Sequence, residues 1–316
     1  MTQRVAVIGE CMLELQGQAF GPMTQSYGGD TLNTAVYLRR CGRAGGIEVA
    51  YATAVGDDSL SQGLLDRWTQ QGLETRLVRR IAGRHPGLYM IQVDERGERS
   101  FHYWRDTAAA KAYFEVSQTP LEQFADDYDA LYLSGITLAI LPPEGRERLL
   151  DLMARMRSRA TVVFDNNYRP PLWPDRQQAR DVFQRAFSLA TVALVTADDH
   201  QALLGLESPE AALAHAKDLP TPEVVIKRGA APTLVRSPEH PDRWLTAPTE
   251  TVARVVDTTA AGDSFAGGYL ARRLAGASAV EAATYGNRVA ARVIQHHGAV
   301  IPAEAMQDLM EGSPIA

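Results

Sequence analysis

Val5-Ala6-Val7-Ile8 is an unbroken apolar run closed by Gly9-Glu10, the pattern of a strand buried on both faces of a parallel sheet. The pattern then changes to alternation, with Met12, Glu14 and Gln16 set against Cys11, Leu13 and Leu15. That predicts a half-buried strand leaving the main sheet. The polar stretch Gly28-Gly29-Asp30-Thr31-Leu32-Asn33 leads into a helix-like run through Arg40. Residues 49–55 read as a second buried strand ending in Gly56-Asp57-Asp58, and 60–72 as a helix closed by Gly72. Three strand-like runs follow without an intervening helix: 77–81, 87–93 and 99–104, the last two joined by the turn Asp94-Glu95-Arg96-Gly97-Glu98. Successive strands of this kind do not belong to a doubly wound sheet. Together with 11–17 they predict a separate small antiparallel sheet, a lid.

From residue 128 strands and helices alternate. Strands are predicted over 129–134, 161–164, 192–196 and 223–226, and helices over 144–157 and 177–189. Leu149, Leu152, Met153 and Met156 recur at helical spacing. Leu234-Val235 and Trp244-Leu245-Thr246 suggest a late hairpin, and helices close the chain over 262–274, 279–295 and 303–310. The expected fold is α/β: a doubly wound, mainly parallel sheet spanning 1–316, with the lid inserted from about 11–17 and 77–105. Ligands of such sheets bind at the carboxyl ends of the strands. Polar clusters at Asp30, at Asp165-Asn166-Asn167-Tyr168-Arg169, at Lys227-Arg228-Gly229 and from Asp257 to Asp263 all follow strands or begin helices. One shared cleft accounts for them.

The stretch Asp257-Thr258-Thr259-Ala260-Ala261-Gly262-Asp263 carries the sharpest chemistry. Small residues running into a helix let an anion approach free backbone N–H groups at the positive end of the helix dipole. A carboxylate in the first turn, Asp263, is odd beside an anion unless it takes a proton from a hydroxyl attacking a phosphoryl group. Taken alone, an Asp in a first turn reads foremost as an acid capping a helix N-terminus; the Ala-Ala-Gly-Asp context after Asp-Thr shifts the reading toward a base.

The 316 residues are 45% hydrophobic, enough for a sizeable core in one large domain. A formal net charge of −6 argues against nucleic acid or an anionic membrane as main partner. Cys11 and Cys41 lie in apolar surroundings without metal-ligand spacing and read as buried thiols in a reducing compartment. Glu10 interrupts the first apolar run, so no signal peptide is expected, and a cytoplasmic protein is.

These residues resemble the ribokinase-like (PfkB) family of carbohydrate kinases over essentially the whole chain. Gly28 to Ala35 with Val55-Gly56-Asp57-Asp58 is similar to the family's sugar-binding signature, and Asp257 to Phe265 to its C-terminal signature. The family usually carries glycine where this chain has Ala260. Within the family, Gly9-Glu10-Cys11-Met12, Gly87-Leu88-Tyr89, Tyr103-Trp104-Arg105 and Phe164 to Pro170 resemble the branch acting on 2-dehydro-3-deoxygluconate. The resemblance implies Asp263 as catalytic base and the backbone of Ala260, Ala261 and Gly262 as anion hole. It implies Gly29, Asp30 and Asn33 at the sugar hydroxyls, and Tyr89, Tyr103, Arg105 and Arg169 at the acid end. Asp165, Asn167, Arg169, Lys227, Arg228, Gly229 and Asn287 would face ATP, with Ala261 and Gly262 at its phosphates. Mg²⁺ would arrive with ATP, and Asp257 and Thr259 match a monovalent-cation loop that would take K⁺. A lid sheet with open edges favours a homo-oligomer. Kinases of neutral sugars, of fructokinase or ribokinase type, and a catalytically silent sugar-acid sensor stay open as alternatives.

Overall fold

The computed structural model describes residues 2–18, 20–93 and 99–311. Thirteen strands are assigned among them: β1 (Gln3–Ile8), β2 (Met12–Gly17), β3 (Met23–Gly28), β4 (Ile47–Val55), β5 (Val78–Arg80), β6 (Gly87–Val93), β7 (Arg99–Trp104), β8 (Ala130–Ser134), β9 (Thr161–Asp165), β10 (Val192–Thr196), β11 (Glu223–Arg228), β12 (Ala231–Ser237) and β13 (His240–Ala247). Nine form one sheet in the order β13-β12-β11-β10-β9-β8-β1-β4-β5. It is parallel from β11 to β5, with the hairpin β12–β13 added antiparallel at one edge.

Alternation along the strands divides the core in two. In β1, Ala6 and Ile8 face one hydrophobic layer, while Val5 and Val7 face the other. The first layer is filled by the helices Pro143–Met156 and Arg176–Leu189. The second is filled by Asp30–Gly42, Ser59–Gln70, Ala261–Arg273 and Ala279–Val293. Helices on both faces make the sheet doubly wound, as its sequence pattern predicts. Strand order reverses at β1, with β4 on one side and β8 on the other, which opens a crevice at the carboxyl ends.

The second sheet has the order β3-β2-β6-β7. β2–β3 and β6–β7 pair antiparallel, but β2 and β6, which join the two hairpins, pair parallel. Met12, Tyr89, Phe101 and Tyr103 on one face of this lid overlook the crevice. Two expectations are corrected. The 77–81 run does not join the lid: Leu77 is buried in the body core, and Val78–Arg80 extend the main sheet beside Thr53–Val55. The fourth lid strand is β3, a mostly exposed polar edge strand without apolar alternation. The turn predicted over 94–98 lies outside the described residues. Among the described residues no helix is long and apolar enough to cross a membrane.

Candidate active site

The helix Ala261–Arg273 begins abruptly. Ala260 sits in the left-handed region at φ 60°, ψ 16°, so the chain turns into the helix within one residue. An L-residue pays roughly 1–2 kcal/mol for that conformation. No side chain caps the helix start. The position that a Cβ would take on Gly262 lies 3.5 Å from Lys227 Nζ, so a cation stands over the exposed N-terminus. An uncapped helix start under a lysine is a receptive place for an anion.

Asp263 lies in the first turn. Its Oδ2 accepts a hydrogen bond from Asn33 Nδ2 at 2.9 Å, and its backbone oxygen accepts one from Thr34 Oγ1 at 3.3 Å. Both donors come from the helix Asp30–Gly42. The two helices can close up because Gly267 has no Cβ; one there would lie 2.6 Å from Tyr37 Cβ. Asp30 begins the partner helix, and its Oδ2 accepts from Asn167 Nδ2 at 2.7 Å. The end of β9 supplies Asp165, whose Oδ2 accepts from Lys227 Nζ at 2.9 Å and Tyr132 Oη at 3.3 Å. Asp165 Oδ1 is buried without a partner.

Asp263, Asp30 and Asp165 therefore converge on one cleft. Withdrawal from bulk water, with Asp30 and Asp165 adding repulsion, pushes the Asp263 carboxyl up to about 7; Asn33 and Lys227 oppose the shift. Burial raises Asp30 as well. Asp263 keeps part of its surface open to the cleft, so it can meet a ligand. A base with a pKa close to neutrality is suited to taking a proton in the course of a reaction.

The cleft has a volume of about 570 Å³. It brings together Gly29, Asp30, Asn33, Tyr89, Tyr103, Asp165, Asn167, Arg169, Lys227, Arg228, Gly229, Thr259, Ala260, Ala261, Gly262, Asp263 and Asn287. Gly29 is required by close approach, since a Cβ would lie 2.1 Å from the Glu10 carbonyl oxygen. Asn287 is fixed by Thr233 Oγ1 and the Pro248 carbonyl. Tyr89 donates to Glu14 and lies beside Tyr103, with ring centres 5.9 Å apart. Two candidates stand off the wall. Arg105 is ion-paired with Glu10. Asp257 fastens the loop from beneath, accepting from Thr259 N and Oγ1 at 3.0 and 2.6 Å and from Gly298 N at 3.2 Å.

Sequence reasoning missed Thr196 and Asp199, and named Asn166 only as part of the polar cluster 165–169 without a role of its own. Thr196 and Asp199 line the cleft, and Asp199 Oδ1 accepts from Arg169 at 3.0 Å. Asn166 ties the ends of β9 and β10, accepting from Thr196 N at 2.9 Å and donating to Thr196 O at 3.0 Å. The signal that finds Asp165, a polar residue at a strand's carboxyl end, applies equally to Thr196. Lys227 faces Asp165, Arg169 faces Asp199 and Arg105 faces Glu10, so each of these cations already meets a protein carboxylate. Among the described residues no three His, Cys, Asp or Glu side chains converge to hold a metal.

A family model described as pfkB family carbohydrate kinase matches residues 2–306. The chain is 45% identical over 309 residues to the 2-dehydro-3-deoxygluconokinase of Escherichia coli K12, covering 97% of this chain and 99% of that protein. It is 42% identical over 308 residues to the 2-dehydro-3-deoxygluconokinase of Dickeya dadantii, covering 96% and 99%. Among solved structures, aminoimidazole riboside kinase from Salmonella enterica complexed with aminoimidazole riboside and an ATP analogue superposes with a TM-score of 0.79 at 26% identity, covering 97% and 100%.

Proposed function

Because this chain belongs to the pfkB family of carbohydrate kinases, we propose that it transfers the γ-phosphoryl group of ATP to the 6-hydroxyl of 2-dehydro-3-deoxy-D-gluconate. The observation that carries the chemistry is Asp263, raised to about 7, one residue past Gly262 on an uncapped helix start beneath Lys227. Asp263 accepts the proton of the 6-hydroxyl as its oxygen bonds to the γ-phosphorus and the bond to the β-phosphate oxygen breaks. The helix start and Lys227 hold the phosphoryl group and its growing charge. Asp30 and Asn33 orient the sugar hydroxyls, and the buried Asn33 Oδ1, which lacks a partner, accepts one of them.

Arg169 on the body, and Tyr89, Tyr103 and Arg105 from the lid, serve the substrate carboxylate. A guanidinium offers that group a planar pair of donors. Asn167 and the 227–229 turn, with Asn287 farther along the cleft, serve the nucleotide. Asp165 Oδ1, buried and unmatched, suits a cation such as Mg²⁺ or its water shell. Bound magnesium supplies neutralisation of the phosphate charge. We assign self-association to the lid face away from the cleft, where Trp104 is 58% exposed.

The test is an ADP-release assay over a panel of sugar acids and neutral sugars. ADP formation with 2-dehydro-3-deoxygluconate, and a phosphate ester at its C6, supports the reading. Turnover of fructose or a riboside in preference to the acid overturns it.

A further inference from the structure

Glu10 is wedged into the seam between body and lid. It follows the carboxyl end of β1 and precedes, by two residues, the strand that carries the chain into the lid. The residue is 3% exposed. A Cβ on Gly87, at the start of β6, would lie 2.7 Å from Glu10 Oε1. Its Oε2 accepts a hydrogen bond from Arg105 Nη2, just beyond the end of β7. One carboxylate thus meets both the start of β6 and the residue just past β7.

The ion pair is half made. Glu10 Oε1 and Arg105 Nε are both buried without hydrogen-bond partners. A guanidinium and a carboxylate in a closed site ordinarily pair through two parallel bonds, and leaving a buried donor and acceptor unmatched is costly. Arg105 is also close to the cleft wall. The Gly87 Cβ position touches both Arg105 Cβ and Met12 Cγ, and the guanidinium carbon lies 6.0 Å from the Tyr103 ring centre. Met12 and Tyr103 line the cleft.

We infer that Glu10 is a positioning residue: it holds Arg105 in the seam by one edge of the guanidinium and leaves the remaining donors for a ligand carboxylate. The inference rests on the proposed acid substrate. Glu10 touches no reacting atom and acts only through Arg105.

The experiment is a double-mutant cycle of Glu10→Gln, Arg105→Leu and the pair, measured on the sugar acid and on its analogue with an alcohol in place of the carboxylate. Glu10→Gln should raise KM for the acid about tenfold with kcat unchanged, and leave the neutral analogue unaffected. Glu10→Ala, which removes the acceptor, should do so more strongly. The double variant should match Arg105→Leu alone, because the two residues act as one unit. Additive losses, or an equal fall on both substrates, overturn the inference. Hydrogen exchange at 100–104 in the ligand-free protein supplies a second readout, expected to quicken in Glu10→Gln. Should the wild-type protein turn over no sugar acid, the proposed function fails, and unchanged exchange at 100–104 then overturns the role of Glu10 as well.

Discussion

On the body side of the cleft, each chemical group is gripped from another element. Asp263 is held by the Asp30–Gly42 helix, Asp165 by β8 and β11, and Asp30 by the end of β9. On the lid side, Phe101 and Tyr103 are 48% and 54% exposed, and Tyr89 is held only from within its own sheet by Glu14. The side that would make and break bonds is fixed before any ligand arrives. The side that would recognise the acid is an open wall of aromatic rings. Fixed donors and acceptors need no rearrangement during reaction, which is where electrostatic catalysis gains most. An exposed wall can close over a ligand and exclude water.

Breaking the fixed side should have the largest effect. Asp263→Asn keeps the shape but cannot accept the proton, so kcat should fall by about 10²–10⁴ with little change in substrate affinity. Near-normal turnover would remove Asp263 from its role as base. In the wild type, kcat/KM should fall as pH drops through about 7, because the protonated carboxyl cannot act as a base. Stability should move the other way. Asp263 titrates at about 7 when folded and near 3.8 when unfolded, so between those values the folded state binds more protons and loses stability as pH rises. Asp263→Asn should therefore melt higher than wild type at pH 8 and show no such gain at pH 3, measured by calorimetry.

Replacing the arginines proposed to meet the acid, Arg105 beside the lid and Arg169 on the body, should cost less. Arg105→Leu or Arg169→Leu removes a charged hydrogen bond of roughly 1.5–3 kcal/mol, equivalent to about ten- to a hundredfold in kcat/KM on the acid. The neutral analogue should be spared. A matching loss on both substrates would assign the arginines to the fold or to the nucleotide. Saturating sugar acid should also slow hydrogen exchange in β6 and β7 more than in β9 or β11; equal protection would erase the contrast between the two sides.

The smallest effect is expected at Ala260. Replacing it by glycine relieves left-handed strain of roughly 1–2 kcal/mol but frees the unfolded chain by about 0.4–1 kcal/mol, for a net gain of about 1 kcal/mol. Thermal melting should rise by about a degree or two. A drop would mean that the Ala260 methyl group packs against something that stabilises it.

Much of this arrangement is legible in the sequence because two periods are. Apolar runs at 5–8, 49–55 and 192–196 fix the sheet, and polar residues directly after such runs find Asp165 and Lys227 at strand ends. Legibility fails where an element is short or polar. β5 has three residues and no period, and β3 is an edge strand held by backbone pairing to β2. The helices Gly135–Ile140 and Ala197–Leu204 are only six and eight residues long, so their periodicity carries little signal. Glu10 reads from sequence as a polar stop after an apolar run and as part of the Gly9-Glu10-Cys11-Met12 resemblance, but not as the partner of Arg105, which lies 95 residues away. The left-handed turn at Ala260 is hidden by an alanine where glycine would announce it.

The place of β1 inside the large sheet has a consequence for the chain as it is made. β1 pairs with β4 on one side and β8 on the other, so its second edge has no partner until Ser134 has been synthesised. At roughly 5–20 residues per second, that interval is about 6–25 s. During it, an apolar strand with unpaired backbone groups is exposed to other nascent chains. The lid is delayed in the same way, since β2 waits for β6. Until β8 arrives, the N-terminal hundred residues can form only part of the sheet, with β1 left as an open apolar edge that must be sheltered from other chains.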